Sequence, residues 1–317
     1  MKYYFIVNTN ARSGKGLAIW NVIKDKLKEF DVDVHVYLTK HRGNAMRMVQ
    51  KITTDHRKQN AENATKEKIT IVALGGDGTI NEMVNGIMDF ENVILGYIPT
   101  GSGNDLAKGL GITRDPIEGL KVVLGKEPQI KTIDIGEVKR GELKRKFAVA
   151  CGMGFDASIC HYALVSKFKH FLNKINLGRL TYVGIAIRRI FTGETFTVEM
   201  TIDDGEPRVF EETYFVTTMN NPYEGGGFMF CPKACQMDGI FDIIIVSKVP
   251  KLKILAVLPT AFWGKHVVFS GIELFRGKKV VVKAKKPMML HVDGETLFPR
   301  KQIEVSVLPS TLNIIVG

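Results

Sequence analysis

Asp77 stands among three glycines. In VALGGDGTINEMVNG (Val72–Gly86), Gly75, Gly76 and Gly78 surround one carboxylate. Thr79 and Glu82 follow, at the head of an apolar pattern of helical period: Ile80, Met83, Val84 and Ile87. Thr79 three residues before Glu82 reads as a capping box, which starts the helix at Thr79. Glycines ahead of a helix tolerate positive φ and keep side chains away, so backbone N–H groups and the helix dipole can meet an anion closely. A carboxylate in the same place would repel a phosphate unless a cation lies between them, so Asp77 suggests a hydrated magnesium bridging to phosphate. A plain strand-to-helix turn would have the same composition, and the local pattern alone leaves both readings open.

Two further glycine-rich stretches, Ser13–Gly16 and Gly101–Gly103, also follow strand-like runs. Neither better-known phosphate loop is present. Thr9 stands where the first glycine of G-x-x-x-x-G-K-[ST] would be, and Ile19 and Leu106 stand where G-x-G-x-x-G needs its last glycine. A second carboxylate of interest is Asp293, in HVDGE (His291–Glu295). Asp-Gly between apolar residues is the favoured two-residue hairpin turn, and Asp204-Gly205 has the same look with no chemical role assigned. Cys231 and Cys235, with Cys151 and Cys160-His161 elsewhere, lack paired zinc-ligand spacing and read as reduced thiols without a disulfide framework.

The elements that must position these residues change character along the chain. The first third alternates strand and helix. YYFIV (Tyr3–Val7) precedes a helical pattern at Leu17, Trp20, Ile23 and Leu27, and DVDVHVYL (Asp31–Leu38) alternates like a strand buried on one face. Ala45, Met46, Val49 and Ile52 then keep helical spacing, followed by a polar surface excursion at His56–Lys68. ITIVAL (Ile69–Leu74) and VILGYI (Val93–Ile98) read as buried strands. This order implies parallel strands with crossover helices, whose ligand crevice lies at the carboxyl ends of the strands. All three glycine turns fall at such ends. From about Lys131 strand-like runs dominate, which predicts an antiparallel sandwich or barrel. One helical stretch interrupts it at roughly 161–191.

VNTNARSGKG (Val7–Gly16), GGDGTINEMVNG (Gly75–Gly86) and IPTGSGNDLAKGLGI (Ile98–Ile112), in this order, resemble the catalytic domain of the diacylglycerol kinase family, specifically the soluble bacterial lipid kinases related to sphingosine kinases. The resemblance continues through IDIG (Ile133–Gly136), GGGFMFCPKACQMDG (Gly225–Gly239) and HVDGE, over almost the whole chain. It implies an N-terminal Rossmann-like α/β nucleotide domain, residues 1–130 with a returning segment at about 303–317. A C-terminal antiparallel β-sandwich for the lipid substrate would span 131–302. It implies ATP phosphates over Gly75, Gly76, Asp77, Gly78 and Thr79, beside Asn8, Arg12, Ser13 and Gly14. Thr39, Glu82, Gly101 and Asn104 join the nucleotide site. Asp77, Asp105 and Asp134 match carboxylates linked through Mg2+ and water. Asp238 matches a separate structural metal site assisted by the carbonyls of Cys235 and Ile240, although Met237 stands where many relatives have aspartate. Asp293 matches the proposed general base and Glu295 its neighbour. A carboxylate in reach of an alcohol can take the proton released as that alcohol attacks the γ-phosphorus.

Composition is consistent with a two-domain globular protein: 317 residues, 45% hydrophobic and 24% charged. The net charge of +11 favours an anionic partner without choosing one. Lysines and arginines cluster at Lys139–Lys146, Lys167–Lys174 and Arg276–Lys286, the second interleaved with Phe168, Phe171 and Leu172. Such a segment suits either an interfacial helix on anionic lipid or a solvated helix face. No apolar run approaches a membrane span and no secretory cleavage pattern follows the first strand, so a cytoplasmic location with transient membrane contact is expected. No nucleic-acid module accompanies the charge, and a homodimer is compatible with the sequence. The leading reading is phosphoryl transfer from ATP to a lipid hydroxyl, with diacylglycerol first among acceptors. The alternatives are a NAD kinase-like enzyme on a soluble nucleotide and a catalytically silent lipid- or nucleotide-binding regulator. NPYEGGGF (Asn221–Phe228) reads as a flexible rim.

Overall fold

The computed structural model describes residues 2–12, 14–141, 143–155, 157 and 192–317. Ser13, Cys160-His161, the helical stretch expected at 161–191 and its basic run at 167–174 lie outside the described residues. The chain divides into two units, Met1–Ile133 with Ser310–Gly317, and Asp134–Pro309.

The first unit is α/β. Strands β1 (Lys2–Val7), β2 (Asp33–Leu38), β3 (Ile69–Gly75) and β4 (Val93–Pro99) pair in parallel in the order β2-β1-β3-β4. The end of the last strand, β13 (Glu295–Ile315), adds to β4 in parallel at Asn313 and Ile314. Every residue of β3 and β4 is buried, as expected for strands covered on both faces. Helices α1 (Lys15–Leu27), α2 (Asn44–Glu62), α3 (Asp77–Gly86), α4 (Asp105–Leu110) and α5 (Pro116–Val123) connect or flank them. The core joins Phe5, Trp20, Ile23, Val72, Leu74, Ile98 and Leu120.

Two expectations are corrected here. β2 buries none of its residues, because among the described residues it pairs only with β1 and forms the sheet edge; its alternation marks an edge strand, not a half-buried one. The polar stretch after Ile52 does not leave the helix: α2 runs on to Glu62, with His56 and Asn60 buried and both bonded to the Glu67 carbonyl, at 2.7 and 3.0 Å. Polar residues that find main-chain partners carried the helix past the end of its apolar stripe.

The second unit is antiparallel β. Strand β9 (Arg208–Met219) pairs with β10 (Phe241–Ser247), β7 (Ala150–Gly154) and β8 (Phe196–Ile202). Strand β12 (Lys279–Val292) pairs with β8 through Val280–Ala284 and with β7 through Leu290–Val292, its register against β13 shifting between those two halves. A bulged strand that changes partner along its length lets one sheet fold over itself. β11 (Ile272–Gly277) extends the β10 edge, and β5 (Ile130–Arg140) forms a hairpin with β6 (Leu143–Phe147). Phe147, Met153, Val198, Phe241, Ile243, Val282 and Leu290 meet in the core. Among the described residues, no helix is long and apolar enough to cross a membrane.

Candidate active site

In the first unit the three glycine turns follow the carboxyl ends of β1, β3 and β4. Two of them pack main chain on main chain. A Cβ on Gly101 would lie 2.6 Å from Gly76 Cα and 2.7 Å from Asn104 Oδ1, and a Cβ on Gly75 would strike Thr79 Oγ1 at 2.4 Å. Thr100 N–H donates to the Gly75 carbonyl at 2.7 Å. The first turn is tied in by Asn8, whose Nδ2 donates to Thr79 Oγ1 at 3.0 Å and whose N–H donates to the Leu74 carbonyl at 2.8 Å. Thr39, buried at the end of β2, donates its N–H to the Val7 carbonyl at 2.9 Å. Arg12 and Gly14, both exposed, take left-handed backbone conformations in the turn before α1.

The carboxylates of this unit have an unexpected use. α3 begins at Asp77, not Thr79, and Gly76 is its N-cap. Glu82 does not reach back to its own helix start, so the capping box is not formed. Its two oxygens instead accept from the N–H groups of Gly43, at 2.6 Å, and Ala45, at 3.1 Å, capping α2 from outside. Asp77 does the same for α4, accepting from Asn104 N–H at 2.7 Å and Leu106 N–H at 3.4 Å. The N-cap residues of these helices, Gly43 and Asn104, supply no side-chain bond of their own, whereas α5 is capped locally by Asp115. At α1 and α3 the N-caps are Gly14 and Gly76, which have no side chain to offer; the N–H groups of Gly16 and Leu17 donate to the carbonyls of Ala11 and Gly14, at 3.0 and 3.3 Å, and that of Thr79 to the Gly76 carbonyl at 2.9 Å.

Asp77 and Asp105 lie close to one another. Burial, and then the charges of these two carboxylates, push the Tyr97 phenol well above its ordinary range, and Tyr97 Oη bonds Asn104 Oδ1 at 3.3 Å. Among the described residues no three His, Cys, Asp or Glu side chains form a metal cluster. Magnesium commonly takes one or two carboxylates and completes its shell with water and substrate phosphates, so the Asp77–Asp105 pair fits a nucleotide-borne ion. Asp238 does not fit a separate one. Its carboxylate is bonded to the Arg276 guanidinium, which also approaches Asp242 at 3.5 Å. The positive charge there is a side chain's. Asp134, in the second unit, is buried and accepts from Gly239 N–H at 2.7 Å.

Asp293 and Gly294 form the two-residue turn between β12 and β13, with φ of 48° and 76°, the conformation Asp-Gly suits. The side chain is nonetheless placed with care. It is 8% exposed, and its oxygens accept from three successive main-chain N–H groups: Ala148 at 3.0 Å, Val149 at 2.8 Å and Ala150 at 3.0 Å. Gly294 N–H donates to His291 Nδ1 at 3.3 Å, and the opposite nitrogen of that buried ring meets Glu224 at 3.2 Å. Glu295 follows directly, as the first residue of β13.

Composition and spacing missed the support around this turn. Asn220 Nδ2 donates to the carbonyls of Asp134 and Ala148, and Gln236 Nε2 to Asn221 Oδ1. Asn221, read as part of a flexible rim, is fully buried, and Glu224 exchanges both main-chain hydrogen bonds with Phe228. The consecutive amides after a strand ending in Met219 were the available signal, since amides at a buried strand end must find main-chain partners.

The second unit also holds a small apolar pocket, a cavity of about 50 Å³, lined by Phe215, Phe230, Ile244, Val257, Leu258 and His266 among others. Burial lowers the His266 imidazole below its ordinary range, and its Nε2 donates to the Phe230 carbonyl at 3.1 Å.

Residues 2–138 match the diacylglycerol kinase catalytic domain, and residues 151–316 match the YegS C-terminal NAD kinase beta sandwich-like domain. YtlR of Bacillus subtilis strain 168, provisionally named a lipid kinase, is 31% identical over 299 residues, 93% of each chain. A protein of the same strain named diacylglycerol kinase is 31% identical over 236 residues, covering 74% of this chain and 73% of its own. A solved structure from Bacillus anthracis, provisionally titled a diacylglycerol kinase, covers 100% of this chain and 97% of its own with a TM-score of 0.73 at 23% identity, and so bears on the fold.

Proposed function

The chain belongs to the bacterial diacylglycerol kinase and lipid kinase family, and from that premise we propose that it transfers the γ-phosphate of ATP to a lipid hydroxyl, with diacylglycerol as acceptor and phosphatidic acid and ADP as products. The first unit is assigned the nucleotide. The glycine turns before α1 and α3 let a phosphate come close to the positive ends of those helices, with Asn8, Thr79, Arg12 and Gly14 around them. When bound, a magnesium ion held by Asp77 and Asp105 would neutralise phosphate charge. Asp293 is assigned the base. It takes the proton of the acceptor hydroxyl as that oxygen bonds to the γ-phosphorus and the bond to the β-phosphate oxygen breaks. Three main-chain donors hold its carboxylate in one orientation, so its role is set by position.

The observation that carries the lipid acceptor is the pocket of the second unit, whose lining is almost wholly aliphatic and aromatic. A soluble dinucleotide would need more polar partners than Lys253, His266 and Ser270 supply on such a wall. The test is a transfer assay with labelled ATP and purified diacylglycerol, monoacylglycerol, a sphingoid base, phosphatidylglycerol and NAD. Label in phosphatidic acid is the expected result. Label in NADP, or in none of the products, would overturn the reading, and label in another lipid would correct the acceptor.

A further inference from the structure

Between Asp242 and Glu273 the chain carries no carboxylate and four lysines: Lys248, Lys251, Lys253 and Lys265. This stretch folds as helix α6 (Lys251–Val257) and two 3₁₀ turns, Leu258–Trp263 and Lys265–Val268. Its large apolar side chains divide in two. Ile254, Val257 and Leu258 turn inward and line the apolar pocket. Leu252, Trp263 and Val268 point to water, with 73%, 69% and 80% of their surface exposed. Phe269 does both, lining the pocket while 37% exposed, and Lys253, also at the wall, donates to Ser270 O and Oγ at 3.1 and 2.7 Å. The turn is braced from behind: Phe262 stacks on Phe228 with centroids 4.2 Å apart, and Met229 N–H donates to the Ala261 carbonyl at 2.8 Å.

In the basic run on β11 and β12, Lys279 meets Glu304, Lys283 meets Glu199 and Lys286 meets Glu194. Those lysines are balanced by carboxylates across the sheet. In the α6 segment Lys248, at its start, meets Glu211, while the segment's own sequence supplies no carboxylate. A tryptophan, two aliphatic residues and lysines on short helical turns, with no negative charge among them, match the layered chemistry of a bilayer whose headgroups are anionic.

We propose that α6 and the two 3₁₀ turns are the face by which this chain docks on an anionic bilayer. Leu252, Trp263 and Val268 enter the acyl boundary, Lys251, Lys253 and Lys265 lie over the headgroups, and the pocket behind receives a chain of the acceptor lipid. The last clause rests on the lipid kinase reading; the docking does not. The sequence left the basic run at 167–174 open as an interfacial helix or a solvated face, and it lies outside the described residues.

The chain holds two tryptophans, and Trp20 is buried in the first unit, so a change of emission on vesicle addition reports Trp263. The full chain is mixed with vesicles of phosphatidylcholine, with and without phosphatidylglycerol, at low and high salt. Blue-shifted emission and quenching by brominated acyl chains, on the anionic vesicles and weakened by salt, are expected. The double substitution Leu252→Asp with Val268→Asp should weaken vesicle binding by about tenfold or more, from the loss of two apolar insertions and the gain of two negative charges. It should slow turnover of long-chain diacylglycerol in vesicles in parallel, and leave turnover of detergent-dispersed short-chain diacylglycerol unchanged. Unmoved Trp263 emission, or a double variant that binds vesicles as before, would overturn the docking face while short-chain turnover left the kinase reading standing. An emission shift that grows with protein concentration without vesicles would assign the face to a second copy of the chain and equally overturn it. A wild-type chain that docks but phosphorylates no diacylglycerol in either form would fault the kinase reading alone.

Discussion

The two units use the same pair of groups, a carboxylate and a main-chain N–H, to different ends. In the first, the carboxylates of Asp77 and Glu82 reach across to cap α4 and α2, and the starts of α1 and α3 are left to glycine. What this unit presents is close-packed glycine turns at helix starts, where the helix dipole suits an anion. In the second, three successive N–H groups converge on the Asp293 carboxylate and hold it on a tight turn. What that unit presents is an acceptor, suited to a proton. The proposed phosphoryl transfer to an alcohol calls on both a phosphate site and a proton acceptor.

The sharpest way to break this contrast is Asp293→Asn. Transfer should fall roughly 100- to 10,000-fold, the usual contribution of a positioned base, with ATP affinity unchanged. The amide cannot accept from all three donors, because its Nδ2 meets an N–H where a carboxylate oxygen stood. A loss of about 1–3 kcal/mol in stability should therefore accompany the kinetic effect. Thermal unfolding beside single-turnover kinetics separates the two, and a variant that loses ATP affinity instead would reverse the roles assigned to the units. Gly101→Ala tests the other side. Its methyl would have to displace Gly76 and Asn104, so the glycine turns should separate, with ATP binding and transfer reduced roughly a hundredfold by misplacement alone. Nucleotide titration by calorimetry reads this directly, and near-normal affinity would mean that the packed glycines do not form the phosphate site.

A smaller effect sharpens the comparison within the first unit. Glu82→Ala removes a cap contributed from another helix and should cost about 1 kcal/mol with little change in turnover at saturating ATP, as chemical denaturation and steady-state kinetics would show. A large fall in turnover would give Glu82 a direct part in the reaction. The smallest effect belongs to the second unit. His266 titrates below its ordinary range when folded, so the unfolded chain binds its proton first. The stability held by the neutral ring is fully present above about pH 6.5 and is lost as pH falls from there through the folded value. His266→Phe should flatten that part of the melting-temperature profile, and an unchanged slope would place the acid sensitivity elsewhere.

Much of this arrangement could be read from the chain. The runs at Ile69–Leu74 and Val93–Ile98 announced buried parallel strands, and their glycines announced the turns that pack on one another at the strand ends. Asp-Gly at 293 announced a hairpin. What could not be read depends on contacts distant in sequence. Glu82 sits 39 residues from Gly43, and Asp77 sits 27 from Asn104, so each looked like the cap or ligand of its own turn. The alternation of β2 was real, but nothing in it told that the strand has a neighbour on one side only. The hairpin signal at Asp293 was right for the main chain and silent on the side chain, whose partners lie 143 to 145 residues away.

Strand β13 completes the second unit against β12 and then, at Asn313 and Ile314, becomes the strand beside β4 in the first. Val316 N–H and the Gly317 carbonyl close on Gln129. During synthesis, the first unit therefore waits with the β4 edge uncovered until every residue of the second has been made. An exposed parallel edge is a template for pairing with another chain. Ribosome pausing, truncation or a bulky fusion near residue 310 would each prolong that interval, and misassembly in the cell would begin there rather than at the reactive groups.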